Sequence, residues 1–246
     1  SALGALNALN AEPKSHKEVL ERPSPEREQC QWLDSEAAER KNHENNGTFR
    51  RRVPITHIDK TKVINSTWAY KNKTGSTGDL VERKSRLATA DIKGLKRHEE
   101  EDFESGFSNG MTMCSFHCLT AIAAFLGYPM YQVDFTGAYL QKAVPIDKHI
   151  YVRCAPGYPE TIKDKWGNRV EAVYELGKYM YGLQEAGAEW QVYLSDYVKD
   201  ECKFKQSWVD PNVYYRDTTE GRLFIGVYVD DLLIVAPNKG AYETLQ

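Results

Sequence analysis

The chain has 246 residues, 41% of them hydrophobic, and is long enough to bury a sizeable core as one large domain or two small ones. No apolar run approaches the ~20 residues of a membrane span, and the start SALGALNALNAEPKS lacks the basic and apolar pattern of a secretory signal. A net charge of −3 argues, taken alone, against a nucleic-acid binder, and five widely spaced cysteines without a Cys-x-x-Cys pair are typical of a reducing compartment.

The first half of the chain predicts a helix, a basic hairpin and an acidic loop. A polar lead-in contains the helix-like run CQWLDSEAAERKNHE, which Asn45-Asn46-Gly47 would end. The strands KVINSTWAYKNK and LVERKSRLATADI flank the turn TGSTGD, and the acidic loop HEEEDFESGFSNG follows. Residues 50–100 hold 13 Lys and Arg against 6 Asp and Glu, a local charge of +7 that leaves −10 elsewhere. Such a block fits a phosphate-facing surface, or else a solvated, lysine-rich hairpin.

The second half mixes helices with strands. MTMCSFHCLTAIAAFLG predicts a helix ending at Gly127. Cys114 and Cys118 are expected to be small buried residues of this helix, because no second cluster supplies further zinc ligands. PMYQVDF predicts a strand, and TGAYLQKA predicts a turn into a short helix. HIYVRCAP predicts another strand, and WGNRVEAVYELG predicts a turn between strands.

The last segments predict a helical region and a hairpin. YMYGLQEAGAEWQVYLSDYVKDECKF predicts a long helical region, broken or loosened by Gly182 and Gly187. The strand DPNVYYR, the turn DTTEG and the run RLFIGVYVDDLLIVA follow. Helices and antiparallel hairpins in this order indicate an α+β fold.

Two adjacent aspartates, Asp230 and Asp231, lie between the apolar runs LFIGVYV and LLIVA. The pattern predicts a β-hairpin, but Asp-Asp is a poor central pair for a two-residue turn, which prefers Asn-Gly or Asp-Gly. Two carboxylates this close repel each other, and a hard cation such as Mg²⁺ would offset the repulsion. A metal site and a solvated turn are both compatible with the spacing.

A polymerase site for two metal ions takes carboxylates from two separate segments, since one ion serves the attacking 3′ hydroxyl and the other the triphosphate. The segment QVDFTGAYL offers a third aspartate. Asp134 ends an apolar strand there, ahead of a turn and a helix. From a strand end, its side chain can point across to a hairpin tip.

Several motifs, in the same order, resemble the reverse transcriptase of copia-type LTR retrotransposons. Three of them surround or follow the aspartates: QVDFTGAYL, ELGKYMYGLQEAGAEW and YVDD. WAYKNKTGSTGDLVERKSRL resembles the family's basic fingers hairpin, and IYVRCAPGYPE resembles its I-Y-M-x-x-P-x-G-F segment. WLDSEAAERKNHENNGTF resembles its lead-in. The resemblance covers nearly all of residues 10–246.

The resemblance implies a right-hand polymerase fold of fingers and palm. Residues 1–48 would be a lead-in, partly helical or disordered. Residues 49–110 would be a basic fingers hairpin with its loop. Residues 111–246 would be the palm, an antiparallel sheet backed by helices and interrupted by a fingers segment at about 140–190. We expect no thumb in these residues.

The same resemblance implies the site residues. Asp134, Asp230 and Asp231 would be the catalytic residues and would hold two Mg²⁺ ions, for which Mn²⁺ could substitute. Lys84 and Arg86 of the fingers would bind the triphosphate, and Gln184 and Glu185 of YGLQEAGAEW would lie beside the incoming nucleotide. Tyr139 would exclude the ribose 2′ hydroxyl as a steric gate, and Tyr228 would approach the primer end. For Tyr139, an ordinary core aromatic is the alternative.

The implied activity is RNA-directed DNA polymerase, a nucleotidyltransferase that adds dNMP to a primer 3′ end and releases pyrophosphate. The implied partners are an RNA or DNA template with its primer, dNTPs, and the rest of a polyprotein with integrase and RNase H, but no membrane. The expected location is intracellular, in a cytoplasmic virus-like particle or the nucleus.

Two segments depart from the family pattern. YGLQEAGAEW stands where the family usually has Y-G-L-K-Q-A-P-R-x-W, so Glu185 places an anion near phosphate. ATADIKGLKRHEEEDFESGFSNG also departs. These changes favour an alternative function, a degenerate retroelement remnant that keeps the palm fold without polymerase activity. We expect the 246 residues alone to polymerise weakly or not at all.

Two other enzyme classes are discounted. An aspartic protease needs D-[TS]-G, and Phe135 stands between Asp134 and Thr136. An RNA-dependent RNA polymerase usually carries Gly-Asp-Asp, and Tyr139 would obstruct ribonucleotides.

Overall fold

The structure, a computed structural model, describes residues 11–21, 26–90 and 110–245, with residues 26–28 described by their backbone alone. The chain forms two compact units, residues 1–102 with 143–184 and residues 103–142 with 185–246. Both units combine helices with antiparallel strands, which confirms the predicted α+β class. All of the predicted acidic loop except its last residue, Gly110, lies outside the described residues.

The helices are α1 (His16–Glu21), α2 (Glu26–Asn45), α3 (Met113–Leu126), α4 (Ala186–Asp196) and α5 (Lys239–Glu243). The strands are β1 (Phe49–Pro54), β2 (Val63–Ile64), β3 (Ser66–Thr74), β4 (Leu80–Thr89), β5 (Met130–Asp134), β6 (Tyr151–Arg153), β7 (Thr161–Lys163), β8 (Arg169–Leu176), β9 (Lys205–Gln206), β10 (Val213–Thr218), β11 (Gly221–Tyr228) and β12 (Asp231–Val235). Short 3₁₀ turns span Ile55–His57, Lys60–Lys62 and Ala138–Gln141. None of the helices in the described part of the chain is both long and apolar enough to cross a membrane.

In the first unit, α2 packs against the hairpin of β3 and β4. Trp32 is fully buried and meets Tyr70 edge-to-face, with 5.4 Å between ring centroids. The Tyr70 hydroxyl donates a hydrogen bond of 2.6 Å to the buried Glu36 carboxylate. The predicted helix ahead of Gly47 is thus confirmed, and Gly47 has the left-handed φ of 62° expected after a helix. A five-stranded sheet in the order β1-β8-β6-β2, with β7 beside β8, completes the unit.

The second unit is built on an antiparallel sheet in the order β5-β12-β11-β10-β9. Trp190 and Leu194 of α4 belong to the main core cluster on one face of this sheet. Leu119 of α3 belongs to a smaller cluster on the other face. A Cβ at Gly226 would lie 2.9 Å from Leu119 and closer still to Met111, so only glycine lets the α3 segment approach β11 this closely.

The helix predicted at MTMCSFHCLTAIAAFLG is confirmed, and Gly127 ends it with a left-handed φ of 67°. Its cysteines were expected to be buried, which is wrong, because Cys114 and Cys118 are exposed. The helix is buried along Leu119 and Ala123, four positions apart and therefore on one face. Both cysteines lie more than a quarter-turn away from that face.

The long helix predicted from Tyr179 to Phe204 is correct only in part. Its regular portion is α4, followed by a π-helical turn at Tyr197–Glu201. Ahead of α4 the chain turns at Gly182, whose φ is 89°. There the Thr89 amide donates a 2.7 Å hydrogen bond to the Tyr181 carbonyl, and a Cβ on Gly182 would overlap the Thr89 carbonyl. Because Gly182 lies this close to the end of β4, the residues ahead of Ala186 form turns instead of the predicted first turns of the helix.

Candidate active site

Strand pairing brings two of the predicted aspartates together. Asp134 ends β5, which pairs antiparallel with β12, and Asp134 lies opposite Asp231. Opposed residues of an antiparallel pair point to the same face, with Cβ atoms about 4.5–5.5 Å apart. Exposure alternates along β5, and Met130, Gln132 and Asp134 are its exposed positions. Two carboxylates from distant parts of the sequence are therefore neighbours on one accessible face.

The hairpin expected at YVDD is present, but its turn lies one residue earlier than the Asp-Asp pair. Tyr228 pairs with Asp231, so Val229 and Asp230 are the two turn residues and Asp231 begins β12. Val229 has a φ of 59°. A β-branched residue is strained there, at a cost of about 1–3 kcal/mol. The surrounding structure must therefore hold this turn in place.

A backbone hydrogen bond links the turn to the end of β5. The Phe135 amide donates to the Asp230 carbonyl at 3.0 Å, directly after the pairing of Asp134 with Asp231. The sheet ladder thus continues beyond both strands. All three aspartates are carried on this one corner of the sheet.

The carboxylates differ in their surroundings. The Gln132 side-chain amide donates to the Asp231 carboxylate at 3.1 Å. Asp134 is exposed, whereas Asp230 and Asp231 are half-buried. The ion pairs that form within the described residues include none of these three carboxylates. A bound cation would offset their combined negative charge.

Across residues 11–21, 26–90 and 110–245, no three His, Cys, Asp or Glu side chains are grouped closely enough to hold a metal ion. The three-aspartate metal set therefore stays a prediction. The donors nevertheless fit Mg²⁺, which takes hard oxygen ligands and usually binds only one or two carboxylates together with water and phosphate. The opposed Asp134 and Asp231 supply that minimum.

Two residues at this corner were not expected from the sequence. Gln132 precedes Asp134 by two positions, and strand alternation could have placed it on the same face. Trp190 of α4 is 1% exposed, and its indole N–H donates a 2.8 Å hydrogen bond to the Val229 carbonyl. No local pattern predicts that contact, because it depends on how α4 meets the turn.

The two predicted tyrosines have different settings. Tyr139 lies in the 3₁₀ turn Ala138–Gln141 and is half-buried against the core cluster that contains Trp190. Tyr228 is 58% exposed at the end of β11, with its ring against Gly110. Tyr228 also lines an apolar groove of about 620 Å³ beside Asp231, together with Met113.

The predicted phosphate-binding residues lie on the first unit, along the outward face of the β3–β4 hairpin. Lys84 stands opposite Lys71 across the two strands. Burial, followed by repulsion from Arg86 and Lys73, lowers the pKa of Lys84 below its usual value. This face holds more positive charge than its neighbours neutralise, and an anion would relieve that excess.

Arg86 is oriented by an aromatic ring. Its guanidinium carbon lies 4.9 Å from the centre of the Tyr181 ring, a cation–π contact within the same unit. The Tyr181 carbonyl accepts the hydrogen bond from Thr89, so the ring is held where β4 ends.

The two residues of the altered segment lie just before α4. Gln184 is exposed, and Glu185 occupies the position that caps the N terminus of α4. Its carbonyl accepts from the Glu189 amide at 3.0 Å. A negative charge at a helix N terminus is favourable by about 0.3–1 kcal/mol. Glu185 therefore has a local structural effect besides any effect on a nucleotide.

Comparison with known proteins decides the family. A profile of the family described as "Reverse transcriptase (RNA-dependent DNA polymerase)" matches residues 54–246. The chain belongs to the reverse transcriptase family. The predicted resemblance to that family is confirmed.

The relatives of this reverse transcriptase chain are retrotransposon polyproteins. It is 29% identical to the retrovirus-related Pol polyprotein from transposon TNT 1-94 of Nicotiana tabacum, over 96% of this chain and 16% of that protein. It is 28% identical to the Pol polyprotein from transposon RE1 of Arabidopsis thaliana, over 74% of this chain and 11% of that protein. The transposon Ty1-NL2 Gag-Pol polyprotein of Saccharomyces cerevisiae is 24% identical over 76% of this chain and 9% of that protein. The chain thus spans a small part of each relative.

Proposed function

We propose that this chain provides the fingers and palm of a retrotransposon reverse transcriptase, and that its second unit holds the catalytic centre. The observation that carries the proposal is the pairing of Asp134 with Asp231 across β5 and β12. Together with Asp230, these residues would bind two Mg²⁺ ions, or Mn²⁺ in their place. The first unit, with the basic β3–β4 hairpin, would provide the fingers.

Bound divalent ions would supply Lewis-acid activation of the primer 3′ hydroxyl and neutralise the triphosphate. The chain's own residues would position the reactants. Lys84 and Arg86 would bind phosphate oxygens, since fixed cations stabilise the charge on a transferring phosphoryl group. Tyr139 would pack against the sugar and exclude a 2′ hydroxyl. Tyr228, exposed beside Asp231, would contact the primer end.

Gln184 and Glu185 would lie beside the incoming nucleotide. The partners would be an RNA or DNA template with its primer, dNTPs, and the integrase and RNase H regions of a polyprotein. The chain would act inside the cell, in a virus-like particle of the cytoplasm or in the nucleus.

Primer extension tests the proposal. The chain would be joined to the segment that follows the matched region in the TNT 1-94 polyprotein and supplied with an RNA template, a DNA primer, dNTPs and Mg²⁺. We expect Asp134→Asn to lower the extension rate by about a thousandfold or more, because it removes a negatively charged ligand that would hold the metal ions in position. Mn²⁺ binding to the 246-residue chain, followed by electron paramagnetic resonance, should weaken in parallel.

Asp217→Asn is the matched control. Asp217 lies on β10 of the same sheet, is exposed, and receives a 2.6 Å hydrogen bond from Arg222. The substitution removes the same charge from the same unit without touching the candidate site. Equal activity of Asp134→Asn and the parent protein would refute the catalytic assignment.

A second candidate function is a remnant that keeps the palm fold without polymerising. Glu185 and its altered neighbours favour it, as does the lack of a three-ligand group for a metal ion in the part of the chain that the structure describes. A parent protein that binds Mn²⁺ no more tightly than Asp134→Asn, and extends no primer, would establish the remnant.

A further inference from the structure

We propose that Trp190 is a positioning residue of the catalytic centre: its indole N–H fixes the strained turn at Val229 and so sets where Asp230 lies. This inference rests on the proposed function, because it assigns a role to a side chain that supports the carboxylates and itself touches no substrate. Three independent contacts within the second unit carry it.

The first contact is the hydrogen bond from the buried Trp190 indole to the Val229 carbonyl, 2.8 Å long and partly buried. That carbonyl belongs to the peptide that connects Val229 to Asp230. A left-handed φ of 59° at a valine persists only where the surroundings enforce it. The indole donor thus holds a peptide group whose rotation would move Asp230.

The second contact is aromatic. The Trp190 ring meets Phe135 edge-to-face, with centroids 5.3 Å apart and planes at 71°. Phe135 directly follows Asp134, and its amide donates to the Asp230 carbonyl at 3.0 Å. One buried ring therefore contacts the neighbour of Asp134 and the neighbour of Asp230 at the same time.

The third contact concerns the helix that carries the ring. Glu189, the residue before Trp190, forms an ion pair of 3.5 Å with Lys142. The Lys142 amide donates to the Tyr139 carbonyl at 3.3 Å. The N-terminal half of α4 is thereby tied to the turn that bears Tyr139. A displacement of Trp190 would therefore be transmitted both to the carboxylates and to this turn.

If Trp190 has only a structural role, its packing matters and its N–H does not. A substitution that keeps the ring shape but removes the N–H therefore separates a structural role from a positioning role. Replacing Trp190 by β-(3-benzothienyl)alanine keeps the bicyclic shape and removes the N–H. We expect Mn²⁺ affinity to fall on the order of tenfold, the factor for one hydrogen bond of ordinary strength. The circular dichroism spectrum should be unchanged. Equal Mn²⁺ affinity before and after the replacement would overturn the proposal.

Trp68 offers a matched control. It is 4% exposed, and its indole donates to the Pro156 carbonyl at 3.0 Å within the first unit. The same replacement at Trp68 also removes a partly buried indole–carbonyl hydrogen bond, but away from the aspartates. It should leave Mn²⁺ affinity unchanged. A loss equal to that at Trp190 would mean that the effect reports general destabilisation, which contradicts the proposal.

A second variant tests the link to strain. Glycine adopts a left-handed φ without strain, so Val229→Gly should remove the need for the donor. In the Val229→Gly background, the replacement at Trp190 should change Mn²⁺ affinity by less than about twofold, well below the factor for one hydrogen bond. An undiminished loss in that background would separate the hydrogen bond from the turn and overturn the proposal.

One readout is independent of metal binding. The three-bond coupling between the amide and α protons of Val229, measured by nuclear magnetic resonance, reports its φ. We expect this coupling to change when the Trp190 N–H is removed. If the parent binds no Mn²⁺, the proposed function fails, and the coupling still decides whether Trp190 fixes the turn. A Val229 coupling that stays the same would overturn the positioning role in either case.

Discussion

The aspartate corner of the second unit and the basic hairpin of the first are built in different ways. At the corner, strand register fixes the residues: Asp134 and Asp231 face each other because β5 and β12 pair along their whole length. On the hairpin, Lys71 and Lys84 face each other across two strands joined by a short turn. The corner depends on contacts between distant segments, whereas the hairpin depends on local pairing.

This difference bears on how each region would tolerate change. Moving one strand of the corner by a single residue would turn an aspartate to the opposite face. The hairpin concentrates like charges, and repulsion from Arg86 and Lys73 adds to burial in lowering the pKa of Lys84. The corner therefore depends on geometric support, while a bound anion would stabilise the hairpin.

After Asp134→Asn, the largest effect that we expect concerns Tyr139. Tyr139→Ala or Tyr139→Val should raise the use of rNTPs relative to dNTPs by about 10- to 100-fold, because removing bulk removes the obstacle to the 2′ hydroxyl. The measurement is primer extension with each nucleotide type. Tyr131→Ala is the control, since Tyr131 is a half-buried tyrosine of the same unit, stacked on Tyr242 at 4.1 Å. Unchanged discrimination in Tyr139→Ala would make Tyr139 an ordinary core aromatic.

The stability of the second unit can be tested at Asp210. This buried carboxylate accepts from the Thr112 backbone amide at 2.9 Å, the Ser115 hydroxyl at 2.6 Å and the Asn212 backbone amide at 2.9 Å, and so joins the start of α3 to the loop ahead of β10. We expect Asp210→Asn to lower the free energy of unfolding of the second unit by about 2–3 kcal/mol at pH 7. Hydrogen exchange of the Thr112 amide gives the measurement, and the exposed Asp200→Asn is the control.

The same residue predicts a dependence on pH. Burial raises the pKa of Asp210, but hydrogen bonds from Ser115, Thr112 and Asn212 outweigh burial, so its pKa lies below the usual value. Its stabilising contribution is therefore present above about pH 4, the pKa of an unfolded aspartate, and is lost as the pH falls through the folded pKa. Asp210→Asn should remove that part of the acid sensitivity. An equally steep loss of stability in the variant would contradict the assignment.

Stabilisation of the hairpin by a bound anion predicts a smaller effect. Lys84→Met should weaken binding of inorganic tripolyphosphate about tenfold, the factor for one partly screened charge. In the parent, affinity should fall as the pH rises through the lowered pKa of Lys84, whereas Lys84→Arg should keep its affinity. Calorimetry from neutral to alkaline pH measures both. Lys17→Met, on α1, is the control, and an equal loss there would indicate non-specific attraction.

The local features of both regions could be predicted from the sequence. The strand ending at Asp134, the YVDD hairpin and the helix ending at Gly127 follow from apolar alternation, β-propensity and a glycine cap. The hairpin of β3 and β4 was predicted in the same way. Each of these features depends on residues that are close together in the sequence.

Features that depend on distant contacts could not be predicted. The helical pattern of YMYGLQEAGAEW did not reveal that Gly182 passes against Thr89, so the helix was placed too early. Apolar spacing on α3 did not reveal that Cys114 would be left exposed. The hydrogen bond from Trp190 to Val229 also depends on tertiary packing.

The smallest effect that we expect is at Glu185, where two terms oppose each other. Close to a triphosphate, at ~4–6 Å and an effective dielectric constant near 20, one anionic contact costs up to ~3–4 kcal/mol before screening by Mg²⁺ and solvent. At the N terminus of α4, the same charge is favourable by about 0.3–1 kcal/mol. Glu185→Gln would remove both terms. We therefore expect a net gain of only a few-fold in dNTP use.

Primer extension by the extended chain, with and without Glu185→Gln, gives the measurement. Asp196→Asn is the control, because Asp196 ends the same helix, is exposed, and its charge is already paired with Lys199 at 3.3 Å. If Glu185→Gln lowers dNTP use, or if the parent is already fully active, the interpretation of YGLQEAGAEW as damage is wrong. The role of Glu185 would then be to stabilise α4 and so to place Trp190. Glu185 would serve the aspartate corner and not the incoming nucleotide.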